Sequence, residues 1–282
     1  MTATPSLQRR LVGTALRRYR ELLGYGLDEP ARVLDCDRSK ISRIETGQRG
    51  IRPKELRELL TEYGVVSESE QFALTAIASP LSIRQGWWKK YADIIPAAYQ
   101  DYLSMEALAS ELLICDAQHV PDLLQVQDYA RAAASPGALE PGTRDRLAEM
   151  TLARQQATTG EQCTSLSVVI GEGALRQVVG GASVMRSQLR WLAEAGERYP
   201  WVTVQVMPFD SGAQHDGGCG PMTILRFAQA PSLGVVHLPG LKGGHCLVDQ
   251  ADVADHVKAF THLQVSALSP GKSSQMMREM AG

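Results

Sequence analysis

Over the first eighty residues, apolar side chains return every three or four positions and are punctuated by glycine, the pattern of short amphipathic helices that end in left-handed turns. Leu7, Leu11, Ala15, Tyr19 and Leu22 mark a first helix between Ser6 and Gly24. Leu27, Ala31 and Leu34 mark a second, in which Pro30 is tolerated because it falls in the first turn. Asp35 and Cys36 make a tight turn, and Asp37 is a good N-cap for a third helix. At 100° per residue, Ile41 and Ile44 fall on one side of that helix; Ser39, Ser42, Arg43 and Thr46 fall on the other, flanked by Arg38 and Lys40. Gly47 is its natural stop. A fourth helix opens at Pro53, buries Leu56, Leu59, Leu60 and Tyr63, and ends at Gly64. Ser67 and Glu70 form an S-x-x-E capping box for a fifth, which closes at Pro80.

From Gly86 the texture changes to dense aromatic and aliphatic residues, Trp87, Trp88, Tyr91, Ile94, Ile95, Tyr99 and Tyr102. Beyond them helix-like and strand-like stretches alternate. Residues 111–117, 166–170 and 202–207 read as strands, and 120–134, 143–158 and 183–198 as helices. Residues 221–227, 233–238 and 245–248 form a run of short strands with Gly-rich turns, followed by a helix over 250–268 and a weakly helical tail. The fold class is therefore α+β: an all-α five-helix domain over residues 1–80, a short linker at Leu81–Gln85, and a larger mixed α/β domain over 86–282.

Length and composition agree with two globular domains, since 282 residues carry 44% apolar side chains. No run approaches the length of a membrane span, and the N-terminal stretch lacks the apolar core of a signal peptide, so a cytoplasmic protein with no membrane partner is expected. Five widely spaced cysteines with no C-x-x-C point to free buried thiols. Charge separates the two parts: residues 1–66 hold 13 Lys and Arg against 9 Asp and Glu, and residues 67–282 hold 16 against 22. An anionic polymer would sit on the first part and be repelled by the second.

The polar face of the third helix is small and cationic, as a reading helix must be. Arg38, Ser39, Lys40, Ser42 and Arg43 are suited to base edges in the major groove. Gln48, Arg49 and Arg52, in the loop that follows, are suited to phosphate. A helix so short is unstable alone, so Ile41 and Ile44 must dock on a scaffold while the polar face looks outward. Residues 16–64, above all SRIETG at 42–47 after Ile41, resemble the XRE (phage-repressor-like) helix-turn-helix. The resemblance implies double-stranded DNA as partner, an inverted-repeat operator and a homodimer, and it assigns Arg20 and Glu45 to a structural ion pair. Leu27 stands where a phosphate-binding Gln is usual in that family, and Asp28 and Glu29 bring negative charge near the DNA-proximal end.

Pro121, Leu123, Leu124, Gln125, Tyr129 and Ala130 match a P-G-L-L-Q-T and Y-A pattern, with departures at Asp122 and Val126. On them the second part resembles the C-terminal domain of unknown function found in actinobacterial WhiJ-like and antitoxin-like regulators. That resemblance implies a domain that senses a small acidic protein or a ligand; the dense aromatics, Trp87, Trp88 and Tyr91 among them, read either as core and domain-interface packing or as a candidate surface for that partner. The alternative is an antitoxin-like protein that neutralises a small acidic partner and regulates itself through its helix-turn-helix. No catalytic set, nucleotide fingerprint or cofactor motif is present, so no enzyme and no cofactor are expected. His215, Cys219, His237, His245 and Cys246 cluster in sequence without a zinc-finger spacing, so no metal site is expected either.

Overall fold

The computed structural model describes residues 5–79, 86–134, 141–158, 163–211 and 220–282. The linker at 81–85, most of the loop at 210–221, and with it His215 and Cys219, lie outside the described residues. Five helices open the chain: α1 Leu7–Leu22, α2 Asp28–Val33, α3 Arg38–Glu45, α4 Pro53–Glu62 and α5 Glu68–Ala78. Left-handed glycines end α1, α3 and α4 at Gly24, Gly47 and Gly64, and Asp35 takes the positive φ of the α2–α3 turn. Inward positions are tightly enclosed, with Leu11, Leu16, Ile41, Leu56, Leu59, Leu60 and Leu74 almost wholly buried. Each such leucine or isoleucine contributes about 1.5–3 kcal/mol of burial. Leu22 departs from the apolar stripe and is 71% exposed. Glu70 completes only half of the expected capping box: its N–H donates to Ser67 Oγ, while its carboxylate accepts from Tyr19 Oη at 2.6 Å and from Ser232 Oγ at 2.9 Å.

The second part is a six-stranded mixed sheet in the order β3-β2-β1-β4-β5-β6. Its strands are β1 Glu111–Asp116, β2 Ser165–Gly171, β3 Val202–Met207, β4 Met222–Arg226, β5 Gly234–Leu238 and β6 His245–Leu247. β1, β2 and β3 run parallel, and β4 to β6 continue antiparallel. Helices α6 Ala97–Glu106, α7 Gln127–Ala133, α8 Pro141–Thr158, α9 Glu172–Arg176, α10 Ala182–Arg198, α11 Gln250–Ser266 and α12 Pro270–Ala281 surround it. Alternate strand residues face opposite ways. Leu112, Ile114, Leu166, Val168, Val204 and Val206 join the main core. Leu113, Cys115, Val169, Ile224 and Val236 join a second cluster capped by Phe260 of α11.

Four expectations change here. Residues 120–134 do not form one helix: a 3-10 turn at Asp122–Leu124 and the separate α7 are divided at Gln125 and Val126. Gln188 holds that break open, its Nε2 donating to the Leu124 carbonyl at 2.7 Å and its Oε1 accepting from Val126 N at 2.8 Å. The C-terminal tail is no weak appendage, because Met277 and Ala281 of α12 are buried against the main core. Ser273 Oγ accepts from Val206 N at 2.9 Å, which satisfies an N–H on the outer edge of β3. Trp88 and Tyr91, in a 3-10 turn over Trp87–Tyr91, are 2% and 1% exposed, and Trp87 is partly buried on the same core, so the aromatic trio does not form an open surface. Large aromatic faces gain most by leaving water, and Trp87 meets both neighbours edge-on within the packed cluster. Finally, α6 had no counterpart in the sequence pattern. It carries Tyr102, Leu103, Met105 and Glu106 buried on several sides, so no single apolar stripe betrays it.

The two parts are packed on each other. One apolar cluster runs continuously from Leu7 and Leu11 of α1 to Tyr102 and Leu103 of α6 and on to the sheet. Polar ties follow the same seam. Leu7 N donates to Asp101 Oδ2 at 3.3 Å. Arg10 Nη2 donates to the Cys246 carbonyl at 2.8 Å, and Ser232 bridges Tyr19 and Glu70.

Candidate nucleic-acid interface

Asp37 starts α3 by accepting the Lys40 N–H at 2.8 Å and the Ser39 hydroxyl. These two bonds, the hydroxyl's first, hold its carboxyl below the usual aspartate range. Ile41 and Ile44 are 1% and 2% exposed, so the helix is fixed through its apolar side. Gly13 of α1 allows the close approach: a Cβ there would lie 2.5 Å from the carbonyl oxygens of Ile44 and Glu45. Below them Arg20 Nε and Nη2 donate to Glu45 Oε1 and Oε2 at 2.7 and 2.8 Å, and Nη1 donates to the Tyr25 carbonyl at 2.8 Å. Both side chains are nearly enclosed. The fork ties the C-terminal end of α3 to α1 and fixes its angle.

On the outer side, Arg38, Ser39 and Arg43 are exposed and Ser42 is partly so. Arg43 lies along its own helix, donating to the Ser39 carbonyl and hydroxyl at 3.2 Å. Arg38 makes a two-pronged pair with Asp28 at the start of α2, and both groups remain in solvent. The acidic residue that departs from the family pattern therefore faces a base-reading candidate and presents it with the same fork geometry that a guanine edge would. Lys40 is different. Its ammonium donates to Glu55 of α4 at 2.8 Å, and at 16% side-chain exposure it is tucked against the scaffold rather than aligned with the outer set. Glu55 also accepts the Arg52 N–H at 3.1 Å, and the Lys40 hydrogen bond is the chief reason its carboxyl is held below the usual range. Neither the capping role of Glu55 nor its reach to Lys40 was read from the sequence.

Gln48, Arg49 and Arg52 are exposed in the loop between α3 and α4. The Arg49 N–H bonds back to the Arg43 carbonyl at 2.9 Å, which curls the loop over the end of α3. Among the described residues, the Arg49 and Arg52 guanidinium groups enter no ion pair. The outer set thus comprises two arginines held lightly in place on the helix and two unpaired arginines beyond it. Among the described residues no group of His, Cys, Asp and Glu could hold a metal ion, and no helix is long and apolar enough to cross a membrane. His237 stacks on Tyr102 at 4.0 Å, and Cys246 is a partly buried free thiol.

Comparison with known proteins agrees with this geometry. A helix-turn-helix domain model matches residues 11–74, which supports a DNA-binding regulator. No curated protein and no solved structure matches the chain. The model of a domain of unknown function, DUF5753, matches residues 99–279, well over half of the 282 residues. The chain therefore belongs to the DUF5753 family, with a helix-turn-helix domain placed ahead of the family's defining domain.

Proposed function

We propose that this protein is a sequence-specific transcriptional regulator that reads an inverted repeat as a homodimer, and that its C-terminal domain senses a small protein partner or ligand. The observation that carries the reading is the outward face of α3, with Arg38, Ser39, Ser42 and Arg43 exposed on a helix fixed from beneath by Ile41, Ile44 and the Arg20–Glu45 fork. A helix of this length reaches only a few base pairs, so two copies are needed for a useful site, with half-sites about 34–36 Å apart. The packed seam between α1 and the sheet supports the sensory role, because a change in the C-terminal domain reaches the scaffold of α3 through α1. The resemblance to actinobacterial WhiJ-like regulators favours the same reading. The acidic excess of residues 67–282 would repel an acidic partner, which weakens the antitoxin reading and, equally, the acidic-protein form of the sensory one.

The test is a footprint on a site selected from random duplex DNA, with the mass of the bound species measured alongside. Two symmetrical patches and a dimer are expected. One unsymmetrical patch, or a monomer at binding concentration, would refute the dimeric part of the proposal.

A further inference from the structure

Most cations of the N-terminal part already have a partner. Of the 13 lysines and arginines in residues 1–66, six pair with carboxylates. Four more donate to carbonyl oxygens, Arg10 and Arg18 across the seam and Arg43 and Arg57 along their own helices. The three that remain are Arg9, Arg49 and Arg52, all exposed, whose side chains have neither an ion pair nor a hydrogen bond among the described residues.

These three lie around one loop. Arg49 and Arg52 stand between α3 and α4, and the first turns of α1 lie directly against that segment. A Cβ on Gly50 would sit 3.6 Å from Arg9 Nε, which places the Arg9 guanidinium beside the loop backbone. At Gly47, where φ is +73°, a Cβ would sit 3.0 Å from Arg10 N and 3.2 Å from its Cα, so the loop is seated on α1 through bare glycine backbone. Arg10 itself is not part of the set, because its Nη2 is turned to the Cys246 carbonyl at 2.8 Å.

Like charges gathered on one patch repel one another, and nothing within the chain offsets them here. A polyanion does: phosphate oxygens accept from guanidinium forks, and release of condensed counterions drives the association. The remaining cations of the N-terminal part are tied down, so the patch beside the reading helix is where its free positive charge is concentrated.

We infer that Arg9 contacts the DNA backbone, and that the phosphate-holding surface extends beyond the helix-turn-helix onto the first turn of α1. Arg9 precedes both the matched domain, which starts at residue 11, and the resemblance over residues 16–64, so neither assigns it. Its partner is a phosphate flanking the segment read by α3, adjacent to those held by Arg49 and Arg52. Such a contact adds affinity and fixes the seating of α3 without reading sequence. The inference rests on the DNA-binding reading above and adds a residue and a surface to it.

The experiment measures fluorescence anisotropy of the selected duplex and of a random duplex with the full chain across a salt series. The proteins are the wild type, Arg9→Ala, Arg9→Lys and Arg186→Ala. Arg186 is an exposed cation of α10 and controls for simple loss of net charge. Arg9→Ala should weaken both duplexes alike, several-fold, and reduce the salt slope by about 1. Arg9→Lys should restore most of that slope, and Arg186→Ala should match the wild type. The urea midpoint of Arg9→Ala should not move, because the side chain makes no bond within the fold. In phosphate ethylation interference, the wild type should depend on one more phosphate per half-site than Arg9→Ala does. An unchanged salt slope in Arg9→Ala, an equal loss in Arg186→Ala, or an identical interference pattern overturns the inference. A wild-type chain that binds neither duplex refutes the DNA-binding reading itself, whereas wild-type binding that Arg9→Ala leaves intact refutes this inference alone.

Discussion

At the scale of single residues, the consequences follow from which charges are buried. Arg20 and Glu45 are enclosed and share two hydrogen bonds, so removing one partner strands the other. Glu45→Ala should cost about 3 kcal/mol or more, seen as a lower midpoint in urea unfolding. Arg43, exposed and bonded only to Ser39, has no such structural duty. Its alanine variant should keep wild-type stability, lose ~1–3 kcal/mol of affinity for the selected site and lose little for random DNA; Arg49→Ala should weaken both alike and reduce the salt slope by about 1. If Arg43→Ala weakened both sequences equally, its base-reading role would be wrong. His237 gives a pH effect. Its folded pKa is lowered from the ordinary 6.5 by burial, so the unfolded chain takes up a proton first as pH falls. Stability from this residue is present above about pH 6.5 and declines below it, by up to about 1.4 kcal/mol per pH unit. His237→Phe keeps a ring on Tyr102 and should flatten melting temperature against pH between about 7 and 5.5.

At the scale of elements, the placement of α12 decides more than its sequence suggests. It packs against α10 and covers β3, and Ser273, which is fully buried, accepts the Val206 N–H and donates to the Leu268 carbonyl at 3.2 Å. Ser273→Ala leaves that N–H without a partner and should cost about 1–3 kcal/mol in thermal unfolding. A neutral result would mean that water reaches the edge of β3. Elsewhere α3 and α4 are linked by Lys40 and Glu55, and this exchange turns one basic residue from the groove toward the scaffold. Asp28 on α2 competes for Arg38 in solvent, where such a pair contributes little to stability and can open for DNA.

At the scale of the whole molecule, α1 belongs to two structures at once. Its inner face packs on α3 and α5, while Leu7, Arg10, Arg18 and Tyr19 reach the C-terminal domain. Burial and the bond to Glu70 push the Tyr19 hydroxyl to about 12, so it stays protonated and keeps donating to Glu70, beside Ser232 at the seam, at any ordinary pH. With one apolar cluster running through both parts, equilibrium unfolding in urea should be a single transition when followed by tryptophan fluorescence and by far-ultraviolet dichroism. Residues 1–80 made alone should melt lower than the full chain, because α1 loses its partners on α6. Two separate transitions would show instead that the seam is weak and that the halves fold independently.

What the sequence by itself determined is what lies in local periodicity and turn chemistry. Asp37, Gly47, Pro53 and Gly64 place the ends of α3 and α4 because capping and positive φ are properties of a few adjacent residues. Alternation and β-branching likewise located the six strands. Tertiary structure alone decided the rest, because each remaining feature depends on residues far apart in the chain. The split after Leu124 needs Gln188, 64 positions away. The burial of Trp88 and Tyr91 and the packing of α12 depend on neighbours that no local window contains. Arg9 joins the arginines of the α3–α4 loop only because Gly47 and Gly50 lie against the first turns of α1. Lys40 reads as a DNA contact in the helical wheel and becomes a scaffold contact once Glu55 stands beside it.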